Sequence, residues 1–274
     1  MKIYKYILLI IVSVFVQSCE EVIEVDLNTA SPRLVVDAAI NWQKGTTGAE
    51  QKIILSTTTS FYSNVVPKVS GATVSIKSGE NLIYIFTEVP NTGEYKCTDF
   101  KPIIGETYTL TVVFNGEIYT ATETMQSVTE IEPITQKKDG GFSGKEYEIE
   151  ASFKDPLDKK NFYLGKFFTD IYKTASYRIL KDEFTNGNLK SWRFSDENLK
   201  QGTNIAITHY GISESYYNYM NKIISISSSS GGGSPFQTPP ATVRGNIVNQ
   251  KNIDNYALGF FSISEIDVQN YTIQ

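Results

Sequence analysis

The sequence predicts a mainly β fold: an N-terminal immunoglobulin-like β-sandwich followed by a second β-rich domain with one short helix. Three observations carry this. Leu34, Val36, Ala38, Ile40 and Trp42 alternate with Arg33, Val35, Asp37, Ala39 and Asn41, the period of two that gives a strand one face in a core. Two alternating runs, 108–114 and 117–122, flank Asn115-Gly116, and both turn residues tolerate the positive φ of a type I′ turn. The two-residue loop fixes a register in which Val113 faces Ile118, Val112 faces Tyr119 and Leu110 faces Ala121. Six or seven such runs at short spacing between residues 31 and 126 are most economically closed as two packed sheets.

Taken in order, the chain starts with a leader. Lys2 and Lys5 precede an apolar run of ten residues, Ile7 to Val16, broken only by Ser13, which stops at Gln17-Ser18-Cys19. The run is too short for a bilayer span of roughly 20 residues and is followed at once by Glu20 and Glu21. It reads as a lipoprotein signal peptide over residues 1–18, with Cys19 as the lipidated first residue of the mature chain. Two or more acyl chains hold a protein to a bilayer stably where one does not, so the membrane is an expected partner through Cys19. Residues 19–30 are acidic and end in small residues, which suits a tether; alternation of Val22, Glu24 and Asp26 with Ile23, Val25 and Leu27 also suits an edge strand.

Within the sandwich expected at 31–126, further strands are read at 52–57, 72–77 and 82–86, the last two joined through Ser78-Gly79-Glu80-Asn81. The second domain is expected at 127–274. Tyr147, Ile149, Ala151 and Phe153 alternate with Glu146, Glu148, Glu150 and Ser152, giving a sheet with one wetted face. Segments 162–168, 177–180 and 191–194 read as strands. A helix is expected near 213–224, because Ile212, Tyr216, Tyr219, Met220 and Ile223 share one helical face and Ser213 stands where a cap belongs. Residues 227–240, rich in Ser, Gly and Pro, read as a flexible loop. The chain then returns to β at 241–243 and 256–263.

Chemistry is sparse. Removing Lys2 and Lys5 with the leader leaves 23 basic against 30 acidic residues, a net charge of −7, which disfavours nucleic acid as a partner. The one histidine, His209, excludes two-histidine zinc motifs. With Cys19 acylated, Cys97 has no disulfide partner and reads as a small buried hydrophobe. No nucleophile elbow, phosphate loop or dinucleotide fingerprint is present. No cofactor and no metal site is therefore expected, and no enzymatic activity. Asp155 and Asp158 beside Pro156-Leu157 fit a solvated turn better than a cation site. Tyr216, Tyr217 and Tyr219 are the candidate contact residues, since three tyrosines in four helical positions cannot all face inward; Tyr217, off the apolar face, leads.

The chain also resembles a known family. Ser18-Cys19-Glu20-Glu21 with Pro32-Arg33-Leu34-Val35-Val36-Asp37, Gly71–Ile76, Gly105–Leu110 and Ile212–Tyr217 are similar to the domain of unknown function 4249 family of Bacteroidota lipoproteins. So are Ser234–Pro240, Arg244-Gly245-Asn246-Ile247 and Leu258-Gly259-Phe260-Phe261. That resemblance implies an outer-membrane lipoprotein, exposed at the cell surface where Glu20 and Glu21 serve as an export signal, and often encoded beside a TonB-dependent transporter; it transfers no catalytic residue. The expected function is that of a non-enzymatic accessory or binding partner of such a transporter. The alternatives are a free-standing glycan- or peptide-binding lipoprotein and, third, a hydrolase using Asp155, Asp158 and His209.

Overall fold

A computed structural model describes residues 31–60, 63–183, 186–229 and 243–274. The leader, Cys19 and the 19–30 tether lie outside the described residues, as does most of the loop expected at 227–240. Residues 32–274 form one compact unit.

The strands are β1 (Leu34–Gln43), β2 (Gln51–Thr57), β3 (Thr73–Ser78), β4 (Ile83–Val89), β5 (Glu94–Cys97), β6 (Thr107–Phe114) and β7 (Glu117–Thr124) in the first half. The second half holds β8 (Thr135–Gly140), β9 (Glu146–Lys154), β10 (Phe162–Thr169), β11 (Ser176–Lys181), β12 (Leu189–Ser195), β13 (Asn204–Ile212), α1 (Glu214–Ser229), β14 (Val248–Asn249) and β15 (Leu258–Thr272). The protein is thus mainly β with one helix among the described residues. The β6–β7 hairpin has the expected register, and Asn115 and Gly116 take φ of 50° and 76°. Ser213 caps α1: its Oγ accepts the Tyr216 N–H at 3.1 Å. The helix runs on to Ser229, so 227–229 are helical and not part of a loop.

In the first sandwich, β1, β2 and β5 face β3, β6 and β7, with β4 passing from one layer to the other: Ile83–Phe86 pair with β3 and Thr87–Val89 with β5. Val36, Ile40, Ile53, Leu55 and Tyr95 meet Val74, Ile76, Tyr108, Leu110 and Val112 in the core. The second sandwich sets β12-β9-β8 against β10 and β13, with Ile149, Phe153, Trp192 and Phe194 packed on Tyr163, Phe167, Ile205 and Ile207.

The last strand belongs to both. Leu258 to Ile266 run parallel to β1, and Ile266 to Thr272 run antiparallel to β13. One layer, ordered β11-β10-β13-β15-β1-β2, therefore backs both cores. Phe261 and Ile263 complete the first core and Ile273 the second. The sequence places a division at 126/127; residues 31–126 do not supply the whole of the first core, which also takes Ile247, Ala257, Phe261 and Ile263. The segment that crosses between the sandwiches is pinned by two carboxylates of β15. Glu265 Oε2 accepts the Val128 N–H at 2.8 Å, and Asp267 Oδ2 accepts the Ile131 N–H at 2.7 Å. Gly211 lets the segment pass, because a Cβ there would stand 2.0 Å from the Ser127 carbonyl oxygen.

The entry to β15 is a backbone-to-backbone contact. Gly259 has φ of 90°, and a Cβ on it would lie 2.0 Å from the Val36 carbonyl oxygen. Asn246 replaces a strand partner here: its Oδ1 accepts the Phe261 N–H at 2.9 Å and its Nδ2 donates to the Phe261 carbonyl at 2.8 Å. Arg33 and Arg244 both lie over the Tyr256 ring, at 4.0 and 3.8 Å. Gly259→Ala is expected to destabilise the fold by about 2–4 kcal/mol through strain and overlap. Asp267→Ala is expected to cost about 1–3 kcal/mol by leaving the Ile131 N–H without an acceptor. Urea unfolding followed by tryptophan fluorescence measures both.

Candidate functional site

Because the shared layer buries one face in the two cores, its other face is free to carry a site. Alternation puts Asp37, Ala39 and Asn41 of β1, Ser262 of β15, Tyr210 of β13, and Leu164 and Lys166 of β10 on that outer face. Lys52 and Ile54 of β2 and Tyr177 of β11 flank them, and α1 leans over the same face against Phe162, Leu164 and Ile212. Together they enclose a cleft of about 390 Å³, into which Tyr216 reaches from the helix.

The electrostatics of this cleft are mixed. Asp37 is exposed on the cleft wall, yet the elements around it remove part of its hydration and raise its carboxyl from the ordinary value, with Lys52 opposing the shift. Lys52 itself leans toward Glu94 at 3.9 Å. Tyr210 is pushed up to about 12 and Tyr216 higher still, both chiefly by burial, so their hydroxyls stay protonated and able to donate. Tyr216 lines the cleft together with Ser262 and packs on Phe260 at 4.9 Å between ring centroids.

The three helix tyrosines thus part company. Tyr216 lines the cleft, Tyr219 lies against Phe260 at 4.9 Å, and Tyr217 lies against Phe162 at 5.3 Å. The residues that sequence reasoning did not single out are Asp37, Asn41, Lys52, Lys166, Tyr177 and Tyr210. Each sits at a position that alternation marks simply as the polar side of a strand.

Residues 20–270 match the model of a family described as a domain of unknown function (DUF4249). The chain belongs to this family. No curated protein matches the DUF4249 chain. Among solved structures it is similar to a DUF4785 family protein from Legionella pneumophila, at 10% identity and a TM-score of 0.26. That match covers 65% of this chain and 52% of the other, so the chain spans about half the length of that protein. It is also similar to a two-domain fibronectin type-III segment of chicken tenascin (13% identity, TM-score 0.22, 66% of this chain and 91% of that one). A third likeness is to the chicken CNTN1 FN1–FN3 domains (17%, 0.24, 66% and 60%).

The remaining candidates of the DUF4249 chain lie apart from the cleft. Asp155 is buried at 1% exposure, where its Oδ1 accepts the Tyr163 hydroxyl at 2.5 Å and its Oδ2 the Gly187 N–H at 3.2 Å. Burial raises its carboxyl, and Asp182, itself paired with Lys190 at 2.9 Å, adds to the shift. Asp158 is exposed, so the two aspartates share no site. Cys97 is buried, its Sγ donates to Asp99 Oδ1 at 3.1 Å, and burial pushes the thiol up to about 11. That is the opposite of nucleophile activation. Among the described residues no three His, Cys, Asp or Glu side chains gather as a metal site.

His209 is fully buried in the middle of β13, not at a strand end or core rim. Its Nδ1 accepts the Trp192 indole N–H at 3.0 Å, its ring lies 4.1 Å from that of Phe153, and its Nε2 has no partner among the described residues. Burial lowers its pKa from 6.5 to about 3. An unfolded chain therefore takes up a proton that the folded chain refuses. The stabilising contribution is complete above pH 6.5 and is lost as pH falls toward 3, by up to about 1.4 kcal/mol per pH unit. Comparing urea midpoints from pH 7 to pH 5 is expected to show a shallower decline for His209→Gln than for the parent protein.

Proposed function

We propose that this protein is a non-enzymatic, lipid-anchored binding protein of the outer membrane that works with a TonB-dependent transporter. The outer-face cleft is its ligand site and Cys19 its anchor. The observation that supports a binding role most directly is the cleft itself: tyrosine rings and groups of both charges on a face held rigid by two cores behind it. Sites placed on packed strands hold their geometry better than sites on loops. The lysines, apolar run and Ser18-Cys19 junction support the anchor, and a net charge of −7 after leader removal speaks against nucleic acid. Asp155 and His209 are both buried against Tyr163 while Asp158 is exposed, which speaks against a hydrolase built on these three residues.

A free-standing receptor for a glycan or peptide is the second reading. It is favoured by one observation: Tyr177, Tyr210 and Tyr216 line the cleft, rings on which a sugar or a peptide side chain can stack. Two measurements separate the readings. Cys19→Ala is expected to move the protein from the membrane pellet to the soluble fraction; unchanged sedimentation would remove the anchor. Gentle crosslinking followed by affinity purification from solubilised membranes is expected to recover a TonB-dependent transporter. Recovery of none, with ligand binding intact, would favour the free-standing receptor.

A further inference from the structure

Three charged side chains line the cleft, Asp37, Lys52 and Lys166; Lys52 acts on Asp37 from a distance and leans toward Glu94 at 3.9 Å, and Asp37 and Lys166 form no direct ion pair among the described residues. The carboxylates of Glu265, Asp267, Glu123 and Asp155 each accept hydrogen bonds from named donors. Those four are buried; Asp37, exposed on the cleft wall, accepts no hydrogen bond among the described residues. The same contrast holds for the lysines: Lys44 is paired with Glu265 and Lys190 with Asp182. Lys166 has no ion pair or hydrogen bond among the described residues, and it is half-buried on the cleft wall. Asp37 comes from β1 and Lys166 from β10, with β15 and β13 between them, so the two charges stand on different walls.

We infer that the cleft takes a short zwitterionic peptide, its free ammonium on Asp37 and its terminal carboxylate on Lys166. This rests on the binding reading given above and names the ligand class of that site. Three features narrow the class. Hydrogen bonds with an ionised partner are roughly twice as strong as neutral ones; a ligand bearing both charges uses both groups, whereas an uncharged sugar uses neither fully. Tyr216 and Tyr177, both near enough to feel the Asp37 charge, offer ring faces and hydroxyls beside that carboxylate, the setting in which an ammonium gains further attraction. Finally, β1 and β15 are interior strands with both edges paired, so a peptide lying over them cannot add to them as a strand and is held by its ends; of the strands lining the cleft only β11, on the far wall, has an open edge. At about 390 Å³ the cleft lies near the lower end of the roughly 300–1,000 Å³ typical of small-ligand pockets, which suits a few residues and not a long chain.

The test offers the full-length, detergent-solubilised protein an equimolar library of free tripeptides, with capture read by native mass spectrometry and the best binder titrated by calorimetry. Acetylating its amine or amidating its carboxylate is expected to weaken binding about tenfold or more. Asp37→Asn is expected to abolish the discrimination against the acetylated form, and Lys166→Gln that against the amidated form, with melting temperatures unchanged. Equal binding of blocked and free peptides would overturn the inference. Binding of maltotriose, lost on Tyr177→Ala, in place of tripeptides would also overturn it while keeping the cleft as a binding site. If neither probe binds, the cleft reading falls as well.

Discussion

The pairing of one strand with two different sandwiches is the constraint on which the rest of this molecule depends. Leu258–Thr272 lies beside β1 along its first part and beside β13 along its second, and its inward side chains change character midway. Phe261 and Ile263 are core residues; Glu265 and Asp267, next along the same face, are carboxylates. They stand where the two cores separate and the chain crosses between them. Buried carboxylates are tolerated there because each accepts a backbone N–H of the crossing segment, and Lys44 neutralises Glu265 at 3.1 Å. An apolar residue at either place would leave the crossing segment's amides unpaired.

This arrangement explains why the outer face can be polar and concave. A sheet needs only one covered face to hold its register, provided that face is well packed. Here the inner face meets two cores at once. The helix covers only part of the other side, through Tyr217 on Phe162 and Met220 in the cluster with Leu164. Asp37 and Lys166 are thus freed from packing duty, whereas Tyr210 packs in part against the cluster under the helix.

The strands that follow simple alternation were legible in the sequence: β1, β9 and the β6–β7 hairpin have their expected inward residues and, for the hairpin, the expected partners. The helix start was legible too, because a cap is a local signal at Ser213. Its end was not, since Ser227–Ser229 have low helix preference and continue the helix all the same. The length of β15 was hidden for a different reason. Its inner face turns from apolar to acidic at Glu265, which reads as the end of a strand to any rule based on hydrophobic period. The cleft was not legible at all, because its residues come from β1, β2, β10, β11, β13, β15 and α1 and meet only through sheet order. His209 showed the converse: its sequence setting suggests a strand end or core rim, yet it sits in a core where Trp192 supplies its hydrogen bond.

The shared strand also sets the order in which the molecule can be completed. Its partner β1 is made early and then waits for residues 258–266, a contact of large sequence separation and hence slow to form. Neither half can seal itself before those residues have been made. A product cut short before Leu258 would keep no intact half; it would present two open cores at once, with the edges of β1 and β13 bare to any neighbouring strand.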